Sequence, residues 1–499
     1  MTPNDSCWKV QTAIIGAGFG GIGMAIQLAQ SGQRDFVLLE KADGVGGTWW
    51  VNRYPGCACD VPSHLYSFSF EPRPNWSRRF APRAEIQRYL EHCVERYDLA
   101  DQLRLNCEVK RLVWDERSQC WDLHTKNGQQ FQAQFVVSAI GGLSRPAWPD
   151  LPGLEQFKGP IMHSQLWDDR VELENKRIAV IGTGASAVQF VPEITPRVQA
   201  LQVYQRTPNW ILPRPDRSIP LQLQRAYRRF PWLQRWVRFG IWLKAECRVP
   251  GLVWTNRLAF GHRWLARRHL RRQIADPALR AKLTPTYAIG CKRVLLSSTY
   301  YPALAQGHVE LVDRAIERIE SDAIVDADGQ RRPVDGLILA TGFNATQPIP
   351  EGMVIGRNHQ DLHRVWQDGP QAYRGTTVAG FPNLFMLLGP NTALGHNSVI
   401  QMIEAQIRFI HALINQMQAQ QLAVVEVRVE SQRRFNQHLH DQLATSVWNE
   451  GGCGSWYLHR DSGLNTTLWP SFTWRYRRLM HRIVRSDFKF EPTIDASNQ

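Results

Sequence analysis

Short apolar runs alternate with glycine turns and helix-like stretches in two separate parts of the chain. Residues 10–15 form a mostly apolar run that ends in Gly16-Ala17-Gly18-Phe19-Gly20-Gly21, and the helix-like Ile22-Gly23-Met24-Ala25-Ile26-Gln27-Leu28-Ala29 follows. The next apolar run, residues 36–39, closes on Glu40. The same order returns at residues 178–181, Gly182-Thr183-Gly184-Ala185-Ser186-Ala187 and the strand-like 201–204. Residues 135–140 and 337–340 are further buried runs bounded by glycine, and 399–409 has a helical pattern. Strands alternating with helices predict parallel sheets. The expected fold class is α/β, with two dinucleotide-binding (Rossmann-like) domains and a helical insertion. The Pro-rich linker at 145–153 sets one boundary near 146. Residues 1–145 and 378–499 are assigned to the first domain, 146–212 and 294–377 to the second, and 213–293 to the insertion.

The glycines give the turns a chemical meaning. Gly16 permits a tight turn, Gly18 lets backbone approach a pyrophosphate, and Gly21 lets helix and strand pack closely, with the helix N-terminus facing the anion. Glu40 stands where a carboxylate accepts hydrogen bonds from a ribose. In the second turn Ala187 replaces the third glycine. Gly16 precedes Glu40 by 24 positions and Gly182 precedes Gln205 by 23, so no carboxylate occupies the matching place. A carboxylate would repel a 2′-phosphate, whereas the adjacent Arg206 can grip one through paired hydrogen bonds. The second site is therefore expected to take NADPH.

Composition narrows the reading further. A chain of 499 residues with 43% hydrophobic content has room for two or three well-buried domains. It has no run of eighteen apolar residues, and residues 1–6 lack the features of a signal peptide, so a cytoplasmic protein is expected. Nine dispersed cysteines predict reduced thiols rather than a disulfide framework. Cys57-Ala58-Cys59 is too closely spaced for a redox pair, and no second pair completes a zinc set, so no metal is expected. The net charge is +14, but residues 221–282 hold fifteen Lys and Arg against Glu246 and Asp276, which confines +13 to one segment. No nucleic-acid-binding signature accompanies it, so nucleic acid is set aside. Trp232, Trp236, Trp242, Trp254 and Trp264 lie among the arginines at partly helical spacing. The segment reads as an insert of amphipathic helices with a solvated cationic face. Peripheral attachment to an anionic membrane is its functional alternative.

Two further stretches carry a resemblance. Phe157-Lys158-Gly159-Pro160-Ile161-Met162-His163-Ser164-Gln165-Leu166-Trp167-Asp168 has four-residue intervals compatible with one helical face, and alone it is a packed connector. It matches F-x-G-x-x-x-H-x-x-x-W-[P/D], a fingerprint of the Baeyer–Villiger monooxygenases. Residues 46–60, Gly46-Gly47-Thr48-Trp49 through Tyr54-Pro55-Gly56 to Asp60, match that family's [A/G]-G-x-W-x-x-x-x-[F/Y]-P-G-x-x-x-D. The chain resembles these class B flavin-dependent monooxygenases from its first strand to near its C-terminus.

The resemblance implies FAD at Gly16, Gly18, Phe19, Gly21, Glu40, Gly47, Thr48, Trp49 and Asp60. It implies NADPH at Gly182, Gly184, Ser186, Ala187, Arg206, Thr207, Lys292 and Trp456. Arg293 and Asp60 are the implied catalytic pair, with Arg293 facing the flavin. Phe157, Gly159, His163, Trp167 and Asp168 form the implied hinge, and the insertion borders the substrate entrance. The implied reaction inserts one oxygen atom of O2 beside a ketone carbonyl through a C4a-peroxyflavin, giving an ester or lactone. Two other readings stay open: a flavin-containing monooxygenase oxidising S or N centres, and an NADPH oxidase or disulfide reductase, the latter needing a dithiol near the flavin. Asn344 departs from an aspartate common in the family. His64, Tyr66, Phe68 and Phe70 are expected to divide between core and active-site wall. The polar last dozen residues are expected to fray. The particular ketone and the oligomeric state stay open.

Overall fold

The structure is a computed structural model that describes residues 7–344 and 349–494. Residues 1–6, where the absence of a signal peptide was read, and 495–499 lie outside the described residues. Trp8–Ile15 runs at the centre of the first sheet, parallel to Phe36–Leu39 on one side and to Gln130–Ser138 on the other. Leu384–Met386 also pairs with Gln130–Ser138, and Cys120–Thr125 and Val109–Asp115 extend the sheet antiparallel. All four residues of Phe36–Leu39 are buried, as a parallel strand covered on both faces requires. The helices Phe19–Gln30 and Ile400–Ala419 pack on one another against this sheet, and the second continues past the expected 409.

The second sheet is parallel, in the order Val309–Val312, Ala200–Tyr204, Arg177–Ile181, Gly336–Leu339, Ile161–His163. Helix Ala185–Ile194 follows its central strand. The short strands Ile211–Leu212 and Leu295–Leu296 pair in parallel and close the base of the insertion. Between them run the helices Leu221–Arg229, Pro231–Glu246, Phe260–Gln273 and Pro277–Lys282.

Several expectations need correction. Val354–Ile355 pairs with Val109–Asp115 of the first sheet, so the chain has returned there well before residue 378. Trp366 and Ala372 pack in that sheet's second core as well. The fingerprint stretch is not a helical face: Ile161–His163 is an edge strand and Ser164–Leu166 a single 3-10 turn. The β-branched Ile161 and the pairing offered by Leu337–Leu339 outweigh the four-residue spacing. The last dozen residues are not all frayed, because Phe488–Pro492 pairs antiparallel with Leu422–Val427 and Phe488 is buried. Cys291 and Cys453 form a disulfide, against the expectation of reduced thiols throughout. A pairing across 162 residues leaves no local spacing signal in the sequence. Finally, helix Pro231–Glu246 turns an aromatic stripe outward beside the exposed Arg235 and Lys244, and buries Gln234 and Glu246.

Candidate active site

Both glycine turns make the same bend. Gly16 has φ +101° and Gly182 φ +104°, in the left-handed region that side chains avoid. A Cβ on Gly16 would lie 2.7 Å from the Ala139 carbonyl oxygen, and one on Gly182 would lie 2.5 Å from that of Ala340. A Cβ on Gly21 would overlap the Gly16 oxygen at 1.8 Å, so helix and turn fit only without one. Gly18 and Gly184 cap their helices without any side-chain acceptor, which leaves the first N–H groups of each helix free for an anion. Ala187 is fully buried, so the second helix accommodates the methyl in place of glycine.

The buried Glu40 is pinned by its neighbours. One oxygen accepts the Ala17 N–H at 2.7 Å and the other the Ala42 N–H at 2.9 Å. Each oxygen keeps a lone pair for a hydroxyl group. From Gly16, Gly18, Phe19 and Glu40 a cavity of about 1620 Å³ runs past Gly47, Thr48, Trp49 and Asp60 to Arg293, Ser186 and Trp456. That exceeds the 300–1,000 Å³ of most small-ligand pockets, and the cavity draws its walls from both domains. Phe19 packs edge-on to Tyr66 at 5.1 Å, and Trp49 does so at 5.5 Å with its indole N–H 3.3 Å from the Tyr66 hydroxyl. Of the four aromatic side chains beyond Asp60, Tyr66 lines the cavity. His64 and Phe68 are core, and Phe70 is exposed.

At the waist of the cavity Arg293 Nη2 lies 3.3 Å from Asp60 Oδ2. The guanidinium is 44% exposed, toward the cavity it lines. Burial alone would pull its pKa down, but the Asp60 carboxylate holds it above the ordinary value. Arg293 is thus a fixed cation. Burial pushes the Tyr457 hydroxyl up to about 12 against the opposing Arg293 charge, so it stays protonated beside that cation.

Gln189, on helix Ala185–Ile194, was not singled out in the sequence. Its amide nitrogen donates to the Ala58 carbonyl at 3.0 Å and to Asp60 Oδ1 at 3.3 Å, and its oxygen accepts the Tyr54 hydroxyl at 3.1 Å. The second domain therefore grips the loop that carries Asp60. A glutamine one turn beyond a glycine turn carries no distinctive signal, so sequence alone could not have found it.

The five residues of the fingerprint stretch lie apart. His163 is fully buried between the rings of Trp148 and Phe343, at 6.0 and 6.1 Å. Its Nδ1 accepts the Gln165 N–H at 3.2 Å, and burial pulls its pKa down, opposed in part by the Gly342 backbone. Trp167 packs on Phe190 at 5.5 Å. A Cβ on Gly159 would lie 2.4 Å from the Asp335 oxygen. Phe157 is buried in the second domain's core, and Asp168 pairs with Arg170 at the surface, which holds its carboxyl down at about 2. None of these five lines the cavity, whereas Gln165 does. Asn344 ties the linker to the second domain through its N–H, 3.0 Å from the Arg145 carbonyl. Arg206 and Thr207 lie outside the cavity wall, and Lys292 sits beside Arg206. Burial and the Arg206 charge both lower the Lys292 pKa.

The chain is 52% identical over 483 residues to a Baeyer–Villiger monooxygenase of Pseudomonas aeruginosa, covering 97% of this chain and 92% of that one. A second such enzyme, from Streptomyces coelicolor, is 44% identical with 96% and 92% covered. The chain belongs to the Baeyer–Villiger monooxygenase family. A pyridine nucleotide-disulphide oxidoreductase family profile matches residues 13–226. Among solved structures, a cyclohexanone monooxygenase from Rhodococcus sp. Phi1 bound to NADP+ superposes with TM-score 0.88 at 27% identity, covering 98% of this chain and 100% of that one. A steroid monooxygenase bound to NADP gives 0.86 at 28%, with 97% and 99% covered. The Baeyer–Villiger fold thus extends over both domains and the insertion. Within this monooxygenase the Cys291–Cys453 disulfide does not line the cavity, so it offers no dithiol to a flavin there. Burial pushes the Cys57 and Cys59 thiols up to about 11 and 12, which keeps both protonated.

Proposed function

We propose that this FAD- and NADPH-dependent monooxygenase inserts one oxygen atom of O2 beside the carbonyl of a small ketone, giving an ester or lactone, with Arg293 as the catalytic cation and Asp60 as its partner. The observation that carries this reading is the Arg293–Asp60 pair at the junction of the two dinucleotide sites. Bare helix N-termini beside Gly18 and Gly184, and the carboxylate of Glu40, fit two dinucleotides. Bound FAD, reduced by NADPH, supplies the electrons that activate O2.

The chain's own residues do the rest. Gly16, Gly18 and Gly21 would hold the FAD pyrophosphate, and the cavity-lining Gly47, Thr48 and Trp49 would contribute to the same site. Gly182, Gly184, Ser186 and Ala187 would hold NADPH, Arg206 and Thr207 would take its 2′-phosphate, and Lys292 and Trp456 would contribute further contacts. Negative charge builds on the ketone oxygen as the oxygen atom is added. A preorganised guanidinium facing that charge contributes roughly 3–4 kcal/mol in a dry site. Asp60 orients Arg293 and keeps it in place between turnovers. Phe157, Gly159, His163, Trp167 and Asp168 couple the second sheet to the linker, with His163 neutral and outside the proton path.

The deciding experiment is product mass spectrometry after incubation with NADPH, oxygen-18 gas, and a panel of linear, cyclic and aryl ketones plus a thioether. Esters or lactones carrying one heavy oxygen are expected. Labelled sulfoxide alone would move the assignment to heteroatom oxidation, and NADPH consumption yielding peroxide alone would defeat the ketone reading.

A further inference from the structure

Helix Pro231–Glu246 is amphipathic in the wrong sense for a helix of a soluble surface. Trp232, Trp236, Phe239 and Leu243 recur at intervals of four, three and four and form one stripe, 59%, 66%, 47% and 47% exposed. The inward side carries polar anchors as well as the cavity-lining Val237 and Ile241. The Gln234 amide donates to the Arg73 carbonyl at 2.7 Å, and Arg238 donates to the His64 and Ser67 carbonyls at 2.7 and 3.0 Å. The buried Glu246 accepts the Asn397 amide at 2.6 Å and the Thr473 N–H at 2.9 Å. These bonds fix the helix with its aromatic residues toward solvent.

The neighbouring segments do the same. Trp254, Leu258, Phe260 and Trp264 are each more than half exposed, and the Arg268 guanidinium lies 5.0 Å over the Trp264 ring. Of the twenty-four exposed large hydrophobics among the described residues, twelve fall within residues 221–265. Exposed hydrophobics scattered singly need no explanation, but this concentration does. On their other side the same segments face the cavity through Val237, Ile241, Leu258 and Leu265. Leu258 and Leu265 are both exposed and cavity-lining, so the apolar surface continues from the outside into the site.

We propose that this face of the insertion docks on an anionic lipid bilayer and presents the cavity to it. The segment's charge of +13, fifteen Lys and Arg against two acids, is complementary to acidic headgroups. Tryptophan and phenylalanine seat at the headgroup boundary, and leucine gains from the acyl region. A second copy of this chain would bring an equal positive charge against the first, which disfavours self-association. A nucleic acid would use the arginines and could stack on the aromatics, but it gives Leu243 and Leu258 nothing to bury against. Among the described residues no helix is long and apolar enough to cross a membrane. Resting on the ketone reading above, the substrate class is then a lipophilic ketone that partitions into the bilayer and enters without crossing water.

The test is flotation of the FAD-loaded full-length protein with vesicles of phosphatidylcholine alone and of equal parts phosphatidylcholine and phosphatidylglycerol. Binding at least about tenfold stronger to the anionic vesicles is expected, weakened but not abolished by salt. The triple variant Trp232→Ser, Trp236→Ser, Phe239→Ser replaces no cavity-lining residue and should lose this binding while oxidising a water-soluble ketone at the parental rate. Its preference for a long-chain ketone presented in vesicles should fall with the binding. No flotation with either vesicle, or flotation unchanged in the triple variant, would overturn the proposal. So would a lipid-free dimer by sedimentation velocity that the triple variant dissolves, or tight binding of single-stranded DNA without vesicle binding. Flotation needs no turnover, so failure of the ketone chemistry would leave the docking result standing.

Discussion

The Arg293 guanidinium donates to the Asp60 carboxylate over 3.3 Å, although 233 residues separate the two in the chain. The loop bearing Asp60 belongs to the first domain, and Arg293 arrives at the far end of the insertion. Gln189 of the second domain holds the other carboxylate oxygen at 3.3 Å. The pair therefore exists only when all three parts of the chain are assembled, which ties the proposed catalytic charge to the correct domain arrangement.

Replacing Arg293 separates reduction from oxygen insertion. In Arg293→Ala, NADPH should still bleach the flavin in anaerobic stopped-flow, because every residue assigned to NADPH is left in place. Ester formation should drop by about 10²–10³-fold, the loss typical of removing one preorganised charge-stabilising donor. Asp60→Asn keeps the shape but leaves the guanidinium without its counter-charge, and should cost less than Arg293→Ala. An Arg293→Ala protein that forms ester at the parental rate would remove Arg293 from the chemistry.

Cofactor choice should rest on Arg206 rather than on the glycine turn. The Arg206 charge disfavours that of Lys292, and a 2′-phosphate bound beside them would relieve that repulsion. Arg206→Ala removes hydrogen bonds between charged groups worth about 1.5–3 kcal/mol. The KM for NADPH should rise about 10- to 100-fold while the KM for NADH barely moves, measured by initial rates of cofactor oxidation with a fixed ketone. Equal changes for both cofactors would mean that the 2′-phosphate is read elsewhere.

Much of this arrangement was legible in the sequence because it rests on local rules. Gly16, Gly21 and Gly182 sit where backbone approaches backbone too closely for a side chain, and the runs around them are as apolar as buried parallel strands must be. Glu40 ends its strand in the place a ribose acceptor requires, and the structure buries it there. What escaped is set by tertiary contact. The spacing of Gly159, His163 and Trp167 suits a helix, yet the open edge of Gly336–Leu339 draws residues 161–163 into a strand. Cys291 finds Cys453 across 162 residues, and Gln189 finds Asp60 across 129. The helix Pro231–Glu246 had a visible period, but period alone does not say which face meets the protein. That depended on carbonyls of residues 64–73 being available to Gln234 and Arg238.

The docking of that helix also makes the protein acid-sensitive through His64. The His64 ring stacks edge-on to Tyr227 at 4.9 Å, its Nδ1 lies 3.1 Å from the Gln234 amide nitrogen, and Arg238 binds its backbone carbonyl. Burial, reinforced by the Arg238 charge, lowers its pKa from 6.5 to about 4. Protonation would put an N–H against the Gln234 N–H and a second cation beside Arg238. Between pH 6.5 and about 4 the unfolded chain binds the proton and the folded one does not, so stability rises with pH across that window. The contribution is fully present above pH 6.5 and is lost as pH falls to about 4; a difference of that size corresponds to about 3 kcal/mol. His64→Gln cannot titrate. Thermal unfolding followed by flavin fluorescence at several pH values between 4.5 and 7.5 should show the parent losing several degrees more than the variant below pH 6. Parallel curves for the two proteins would mean that acid acts elsewhere and that His64 is no part of what holds the insertion down.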